Sequence, residues 1–187
     1  MKRKDVISIT GDLASGQSTV SKMLANDLGF SLYRNGEYFR QLAIEKNMSV
    51  TEFGEYVENH LDIDRDIEKS AAEYAATHKN IVIDAKMGWY AVPDSFKVYL
   101  KVDIDIAAKR AFLDPNRKRS ESLPTLEAQK ADMIRRTKND LNRYHKLYGV
   151  YRNDMSNYDF VLDTGNLTPD EVLKKIKEEY EKWKSVN

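Results

Sequence analysis

Two patterns of apolar and polar residues alternate along the chain. Short apolar runs rich in β-branched residues predict strands at residues 6–9, 30–33, 80–84, 96–102 and 158–163. Apolar residues spaced three and four apart predict helices at residues 17–28, 37–46, 50–59, 62–77, 103–112, 125–148 and 168–183. Because strands and helices alternate, we expect an α/β fold with a central parallel sheet and helices on both faces.

The longest predicted helix, at residues 125–148, carries two parallel stripes. Its apolar stripe, of the kind that faces a core, consists of Ile134, Thr137, Leu141, Tyr144 and Tyr148. The stripe beside it is charged and consists of Arg136, Asp140 and Arg143. The preceding segment, residues 113–124, contains two prolines and a basic cluster but no apolar periodicity, so it predicts a loop between helices.

Length and composition narrow the class of protein. A chain of 187 residues is most simply one domain, and it is long enough to bury a core without disulfides. The absence of cysteine excludes thiolate metal sites and thiol catalysis, and it fits a reducing compartment. Thirty basic and thirty acidic residues cancel, so no overall charge favours nucleic acid or an anionic membrane. No apolar stretch approaches the roughly 18 residues of a membrane span, and we expect a cytoplasmic protein.

The segment between the first strand and the first helix has the spacing of a phosphate-binding loop. Gly11 and Gly16 bracket four residues and Ser18 follows, which matches G-x-x-x-x-G-K-[ST] except that Gln17 stands at the lysine position. Glycines let successive backbone N–H groups turn toward an anion, and the helix adds its positive N-terminal end. We therefore expect a nucleotide phosphate to bind at Gly11, Asp12, Leu13, Ala14, Ser15, Gly16, Gln17, Ser18 and Thr19.

Two oxygen ligands for magnesium are predicted close to this loop. Ser18 has the position of the hydroxyl ligand, and Asp84 ends an apolar strand that should lie beside the loop. The alternative for Asp84 is an ordinary acid at a strand end.

Three further charged residues, Arg40, Asp64 and Arg65, are each compatible with a solvated surface when considered alone.

The order of these motifs resembles the cytidylate kinase-like nucleoside monophosphate kinases over nearly the whole chain. The matching pieces are GDLASGQST, NGEYFRQLA, IDRDIEK, VIDAKMGW, RRTKNDLNRYHKLYG and YDFVLDTGNLTPDEV. The resemblance implies a three-layer P-loop kinase fold with a monophosphate-binding region at about residues 34–78 and a helical lid at about residues 113–124. It also implies transfer of the γ-phosphoryl group of ATP, with Mg²⁺, to CMP or dCMP. The expected partners are thus small-molecule nucleotides.

The resemblance also assigns residues. It implies that Gly36, Arg40, Arg65 and Arg143 bind the acceptor nucleotide, that Asp64 contacts its base or sugar, and that Arg136 holds the transferring phosphate. Lys86 stands where the family has an arginine. The positive charge is kept, but a lysine cannot form the two parallel hydrogen bonds that a guanidinium makes to a phosphate. Gln17, Lys86, Arg136 and Arg143 are therefore the catalytic candidates.

Gln17 leaves three functions open: an active pyrimidine monophosphate kinase, a nucleotide-binding relative with little catalysis, and a P-loop kinase for another small acceptor. Losing one preorganised donor at such a site costs about 2.7 to 4 kcal/mol. The sequence therefore predicts a slow kinase that Gln17→Lys accelerates. If Lys86, Arg136 or a lid arginine replaces the lysine, that gain vanishes.

Overall fold

The computed structural model describes residues 5–48, 50–114 and 123–187. Its centre is a parallel sheet with the strand order β2-β3-β1-β4-β5. The strands are β1 (Val6–Gly11), β2 (Ser31–Arg34), β3 (Ile81–Asp84), β4 (Phe96–Lys101) and β5 (Phe160–Asp163). Strand β1 lies between β3 and β4, so the predicted phosphate loop leaves the middle of the sheet.

Helices cover both faces of the sheet, as the sequence predicts. They are α1 (Gln17–Leu28), α2 (Asn35–Glu45), α3 (Val50–Glu58), α4 (Leu61–Thr77), α5 (Gly88–Ala91), α6 (Ile104–Leu113), α7 (Leu126–Tyr148) and α8 (Pro169–Val186), with a 3-10 turn at Met155–Asn157. Leu24 of α1 and Ile176 of α8 pack on one face against Ile9 and Val98. Helices α4, α5 and α7 contribute buried side chains to the opposite face. The three-layer α/β architecture is therefore confirmed.

Local signals placed several helix ends correctly. The Asp103 side chain accepts a hydrogen bond from Asp105 N at the start of α6. Thr168 and Glu171 form the predicted capping box, with Pro169 at the first helical position of α8. Gly29 ends α1 with a positive φ of 66°. These ends follow from residues within one turn of each other, which a sequence pattern can reveal.

Helix α2 begins earlier than its sequence suggests. Asn35 and Gly36 predict a turn before a helix at residue 37, but both already belong to α2. Asn35 is buried, and its Nδ2 donates to Oε2 of Glu68 at 2.9 Å. This contact with a distant residue fixes Asn35 in the first helical turn, so tertiary structure overrides the local turn preference.

The apolar stripe of α7 is only partly a core stripe. Tyr144 is buried, but Ile134 is 51% exposed. Ile134, Thr137 and Leu141 line an open cleft of about 550 Å³ together with Leu13. The periodicity identified the helix correctly, but it overestimated how much of this face is covered.

The predicted lid, at about residues 113–124, lies mostly outside the described residues. Residues 115–122, including Arg117 and Arg119, lie outside the described residues.

Among the helices of the described ranges, none is both long and apolar enough to cross a bilayer.

Candidate active site

The loop after β1 has a backbone conformation that depends on its two glycines. A Cβ added to Gly11 would lie 2.5 Å from Ser15 Oγ and 2.9 Å from the carbonyl oxygen of Leu100, so only glycine fits there. Gly16 has a φ of 90° and precedes α1 without any side-chain cap. The first N–H groups of α1 are therefore left without a side-chain acceptor at the turn where the positive helix end is strongest. Ser15 Oγ is buried and has no partner among the described residues.

Gln17 is directed toward the ends of two strands. Its Nε2 donates to Oδ1 of Asp84 at 2.8 Å and to the carbonyl oxygen of Ile9 at 2.9 Å. Both amide hydrogens therefore have protein acceptors. In this conformation Gln17 fixes the loop to β1 and β3, and its donors do not reach over the loop as a phosphate ligand would.

Asp84 lies where the sequence predicts, at the carboxyl end of the strand next to β1. It is paired in register with Arg34 of β2, whose Nε lies 3.7 Å from Asp84 Oδ2. Burial raises the pKa of Asp84, although hydrogen bonds from Ser18 and Gln17 and the charge of Arg34 oppose this. The structure thus brings the two predicted magnesium ligands, Ser18 and Asp84, together.

These two side chains suit magnesium in their donor chemistry. Mg²⁺ keeps several waters and binds through one or two protein oxygens plus substrate phosphates. No group of three or more histidine and acidic side chains that could hold a metal occurs within the described ranges. A site of one hydroxyl and one carboxylate beside the predicted phosphate loop therefore fits magnesium and leaves its remaining positions to water and phosphate.

A second charged group lies across the sheet edge, on the charged stripe of α7. Lys86 Nζ contacts Asp140 Oδ2 at 2.5 Å, and Arg143 Nη2 lies 3.2 Å from Asp140 Oδ1. Burial would raise the pKa of Asp140, but the charges of Lys86 and Arg143 lower it below its usual value. Asp140 therefore stays ionised and holds two cations, both predicted from the sequence, in one place.

This group continues into the region where the acceptor is expected. Arg143 Nη2 donates to the hydroxyl of Tyr144 at 3.4 Å, and that hydroxyl donates to Glu68 Oε1 at 3.4 Å. Glu68 is buried on α4 and also accepts the bond from Asn35. The sequence analysis missed Glu68, although an acid on the same helix stripe as the buried Ala71 and Ala75 was a detectable signal.

The other predicted acceptor residues lie on α2 and α4. Arg40 is exposed, and a Cβ added to Gly36 would lie 3.7 Å from its Nη1, so its guanidinium lies over that glycine. Arg65 is exposed on α4, one turn before Glu68. The side chain of Asp64 lies outside the described part of the structure. Arg136 is partly exposed, and its Nη1 lies 3.9 Å from Asp132 Oδ2.

Two further arginines contact the loop. Arg110 Nη2 donates to the carbonyl oxygens of Thr164 at 2.7 Å and Gly165 at 3.2 Å, and its Nη1 lies 3.5 Å from the carbonyl oxygen of Ala14. Arg152 is 1% exposed and donates through Nη1 to the carbonyl oxygen of Gly11 at 3.1 Å. No sequence pattern indicates a role for Arg152, because it follows the end of α7 in a stretch without periodicity.

Comparison with known proteins identifies the family. The model of the cytidylate kinase-like family matches residues 6–166, which include both the loop and the α7 group. The chain belongs to the cytidylate kinase-like family. A cytidylate kinase of Sulfurisphaera tokodaii is 32% identical over 173 residues, covering 91% of this chain and 92% of the relative. A cytidylate kinase of Pyrococcus furiosus is 34% identical over 173 residues, covering 92% of this chain and 86% of the relative.

Solved structures agree with this membership at the level of the fold. A shikimate kinase of Bacteroides thetaiotaomicron superposes with a TM-score of 0.64 at 16% identity, covering 94% of this chain and 98% of that one. The protein therefore has the fold of the P-loop kinases. Its family membership makes it a nucleotide or small-molecule kinase.

The ion pairs of Asp140 predict a pH-dependent stability. Asp140→Asn is expected to lower the free energy of unfolding at pH 7 by about 2 kcal/mol, less than for a fully buried pair because the Lys86 side chain is 37% exposed. The lowered pKa of Asp140 means that its contribution is present above the ordinary value of 3.8 and is lost as the pH falls through the folded-state value. The difference in free energy of unfolding between the wild type and Asp140→Asn, measured by urea titration, should therefore shrink below that pH.

The matched control is Asp132→Asn, because Asp132 lies on the same helix and pairs with Arg135, which is exposed. Its effect at pH 7 should stay below about 1 kcal/mol. Equal effects of the two substitutions, or a difference for Asp140→Asn that persists at low pH, would contradict the role of Asp140 as a buried counter-ion.

Proposed function

We propose that this protein transfers the γ-phosphoryl group of ATP to a pyrimidine nucleoside monophosphate, CMP or dCMP. The observation that carries the proposal is the position of two complementary sites on one sheet edge, the glycine cradle after β1 and the Lys86–Asp140–Arg143 group across from it. The names of the archaeal relatives support cytidylate as the acceptor.

Each part of the site has a role in this reaction. The loop N–H groups and the start of α1 bind the phosphates of ATP. Magnesium, when bound by Ser18 and Asp84, neutralises charge on these phosphates. Lys86 and Arg143 are held by Asp140 at the entrance for the acceptor, with Arg40 and Arg65 on the helices that flank it. Catalysis of this kind consists mainly of positioning and electrostatic stabilisation.

The reaction needs no general base. An oxygen of the acceptor monophosphate attacks the γ-phosphorus while the bond to the bridging oxygen of the departing ADP breaks. A phosphate monoester has a second pKa of about 6, so the attacking oxygen already carries negative charge at neutral pH. The protein therefore has to neutralise repulsion between two anions, which is the task of a site rich in lysine and arginine.

A thermal-shift panel tests the proposed ligands. A ligand at 100 times its dissociation constant adds about 2.7 kcal/mol to the free energy of unfolding. We expect ATP with Mg²⁺ and CMP or dCMP each to raise the melting temperature, and shikimate to leave it unchanged. Stabilisation by shikimate but not by CMP would favour a kinase for another small acceptor. ATP and CMP binding without turnover would favour the non-catalytic alternative that Gln17 raises.

A further inference from the structure

Arg152 places a buried positive charge behind the first residue of the phosphate loop. Besides the bond to Gly11, its Nη1 donates to the hydroxyl of Tyr99 at 3.5 Å, and its own carbonyl oxygen accepts from the Tyr158 hydroxyl at 2.6 Å. Its Nε is buried and has no hydrogen-bond partner in the described part of the chain. The guanidinium is thus fixed by neutral groups against the backbone of the loop.

A buried charge in this position requires an explanation. Within residues 5–48, 50–114 and 123–187, no carboxylate lies within ion-pair distance of Arg152. Burial alone would lower the pKa of Arg152, but Tyr99 and Asp140 reverse that direction, so the guanidinium stays charged. A buried, unpaired charge destabilises a fold unless something compensates for it.

The carboxylates around Arg152 act on it without forming an ion pair. Asp140 and Asp12 are the carboxylates whose charge favours the charged form of Arg152. Asp140 already pairs with Lys86 and Arg143. The Asp12 carboxylate accepts from the Tyr99 hydroxyl and from Val102 N. The charge of Arg152 is therefore adjacent to a loop that lacks the usual lysine.

We propose that Arg152 supplies from behind the loop the positive charge that Gln17 does not bring, and so strengthens the binding of the ATP polyphosphate. This inference rests on the proposed function. Arg152 acts as a positioning residue, because it holds the Gly11 carbonyl so that the loop N–H groups face the phosphates, and its field acts through the loop without contact. Lys86 and Arg136 fit this role less well, because each lies beside a carboxylate, Asp140 and Asp132.

The test is a double-substitution cycle read out as the dissociation constant for ATP with Mg²⁺ by calorimetry. Arg152→Met keeps the length of the side chain and removes its charge, and it should weaken ATP binding by about tenfold or more, with the same trend for inorganic tripolyphosphate. Gln17→Lys should restore affinity in the Arg152→Met protein and improve it by less than about threefold in the wild type. Arg152→Lys should stay within about threefold of the wild type.

Tyr158→Phe is the matched control, because it removes the bond to the Arg152 carbonyl and keeps the charge. It should lower the melting temperature and leave the ATP dissociation constant unchanged. A purely structural role for Arg152 predicts instead that Gln17→Lys has the same effect in both backgrounds, and this result would overturn the inference. An unchanged affinity in Arg152→Met would also overturn it.

Three further outcomes are informative. If Arg152→Met does not fold, the effect of Gln17→Lys on the ATP affinity of the wild type tests the proposal by itself. A gain of about a hundredfold would show that no cation already supplies this charge, and it would overturn the proposal. If the wild type binds ATP but does not phosphorylate CMP, the proposed acceptor is wrong while the cycle on Arg152 still stands. A wild type that binds no ATP overturns both proposals.

Discussion

Asp84→Asn is expected to lower kcat for CMP phosphorylation by about 100- to 1000-fold, the loss typical of removing one preorganised electrostatic group. Asp84 is the carboxylate that lies beside Ser18 at the phosphate loop, and a neutral amide would bind magnesium more weakly there because it lacks the negative charge. The Gln17 amide still finds an acceptor in asparagine, so the loop keeps its anchor. Initial rates at saturating ATP and CMP over a range of Mg²⁺ concentrations measure the effect.

This substitution should not destabilise the protein. Because burial raises the pKa of Asp84, its ionised form is disfavoured in the folded state. The contribution of Asp84 to the free energy of unfolding therefore becomes less favourable as the pH rises above the ordinary pKa of 3.8. Asp84→Asn should therefore keep or raise the melting temperature at pH 7. Asp94→Asn is the control, an exposed carboxylate before β4 at the opposite sheet edge, and it should leave kcat unchanged. A loss below about threefold for Asp84→Asn would contradict a magnesium site there.

Arg40→Ala and Arg65→Ala are each expected to raise KM for CMP by about 10- to 100-fold, the loss of one hydrogen bond to a charged group. The KM for ATP should change by less than about twofold, because α2 and α4 do not contribute to the phosphate loop. Both arginines are exposed, and among the described residues neither forms an ion pair, so alanine removes no contact that supports the fold.

Lys69→Ala provides the control for this pair. Lys69 is an exposed cation on the same helix as Arg65, and it already pairs with Glu73 at 3.0 Å. It should leave KM for both nucleotides unchanged. Equal losses for ATP and CMP in the arginine variants would mean that α2 and α4 do not form a separate acceptor region.

The sequence predicted those features that depend on residues close together in the chain. The loop between Gly11 and Ser18, the caps at Asp103 and Thr168, and the strand ending at Asp84 all follow from spacing and residue type. The short helix α5 was missed, because four residues are too few to show a helical period. Parallel pairing then brought β3 beside β1, which placed Asp84 next to the loop as predicted.

The missed parts of the site depend on contacts between distant residues. Arg152 and Gly11 are separated by 141 positions, and no local pattern indicates that they meet. The buried bond between Asn35 and Glu68 likewise turned a predicted turn into the start of α2. Gln17 shows a different limit, since the sequence identified the unusual residue but not that its amide would bond to Asp84 and Ile9.

The most direct test of the proposed function is the product of the reaction itself. The wild-type protein is incubated with ATP labelled at the γ-phosphate, Mg²⁺ and CMP, and the nucleotides are separated by chromatography. We predict that the label appears in CDP, at a rate that falls with Asp84→Asn and depends on CMP concentration. Label transfer to shikimate but not to CMP, or no transfer to any nucleoside monophosphate despite measurable ATP binding, would contradict the assignment as a pyrimidine monophosphate kinase.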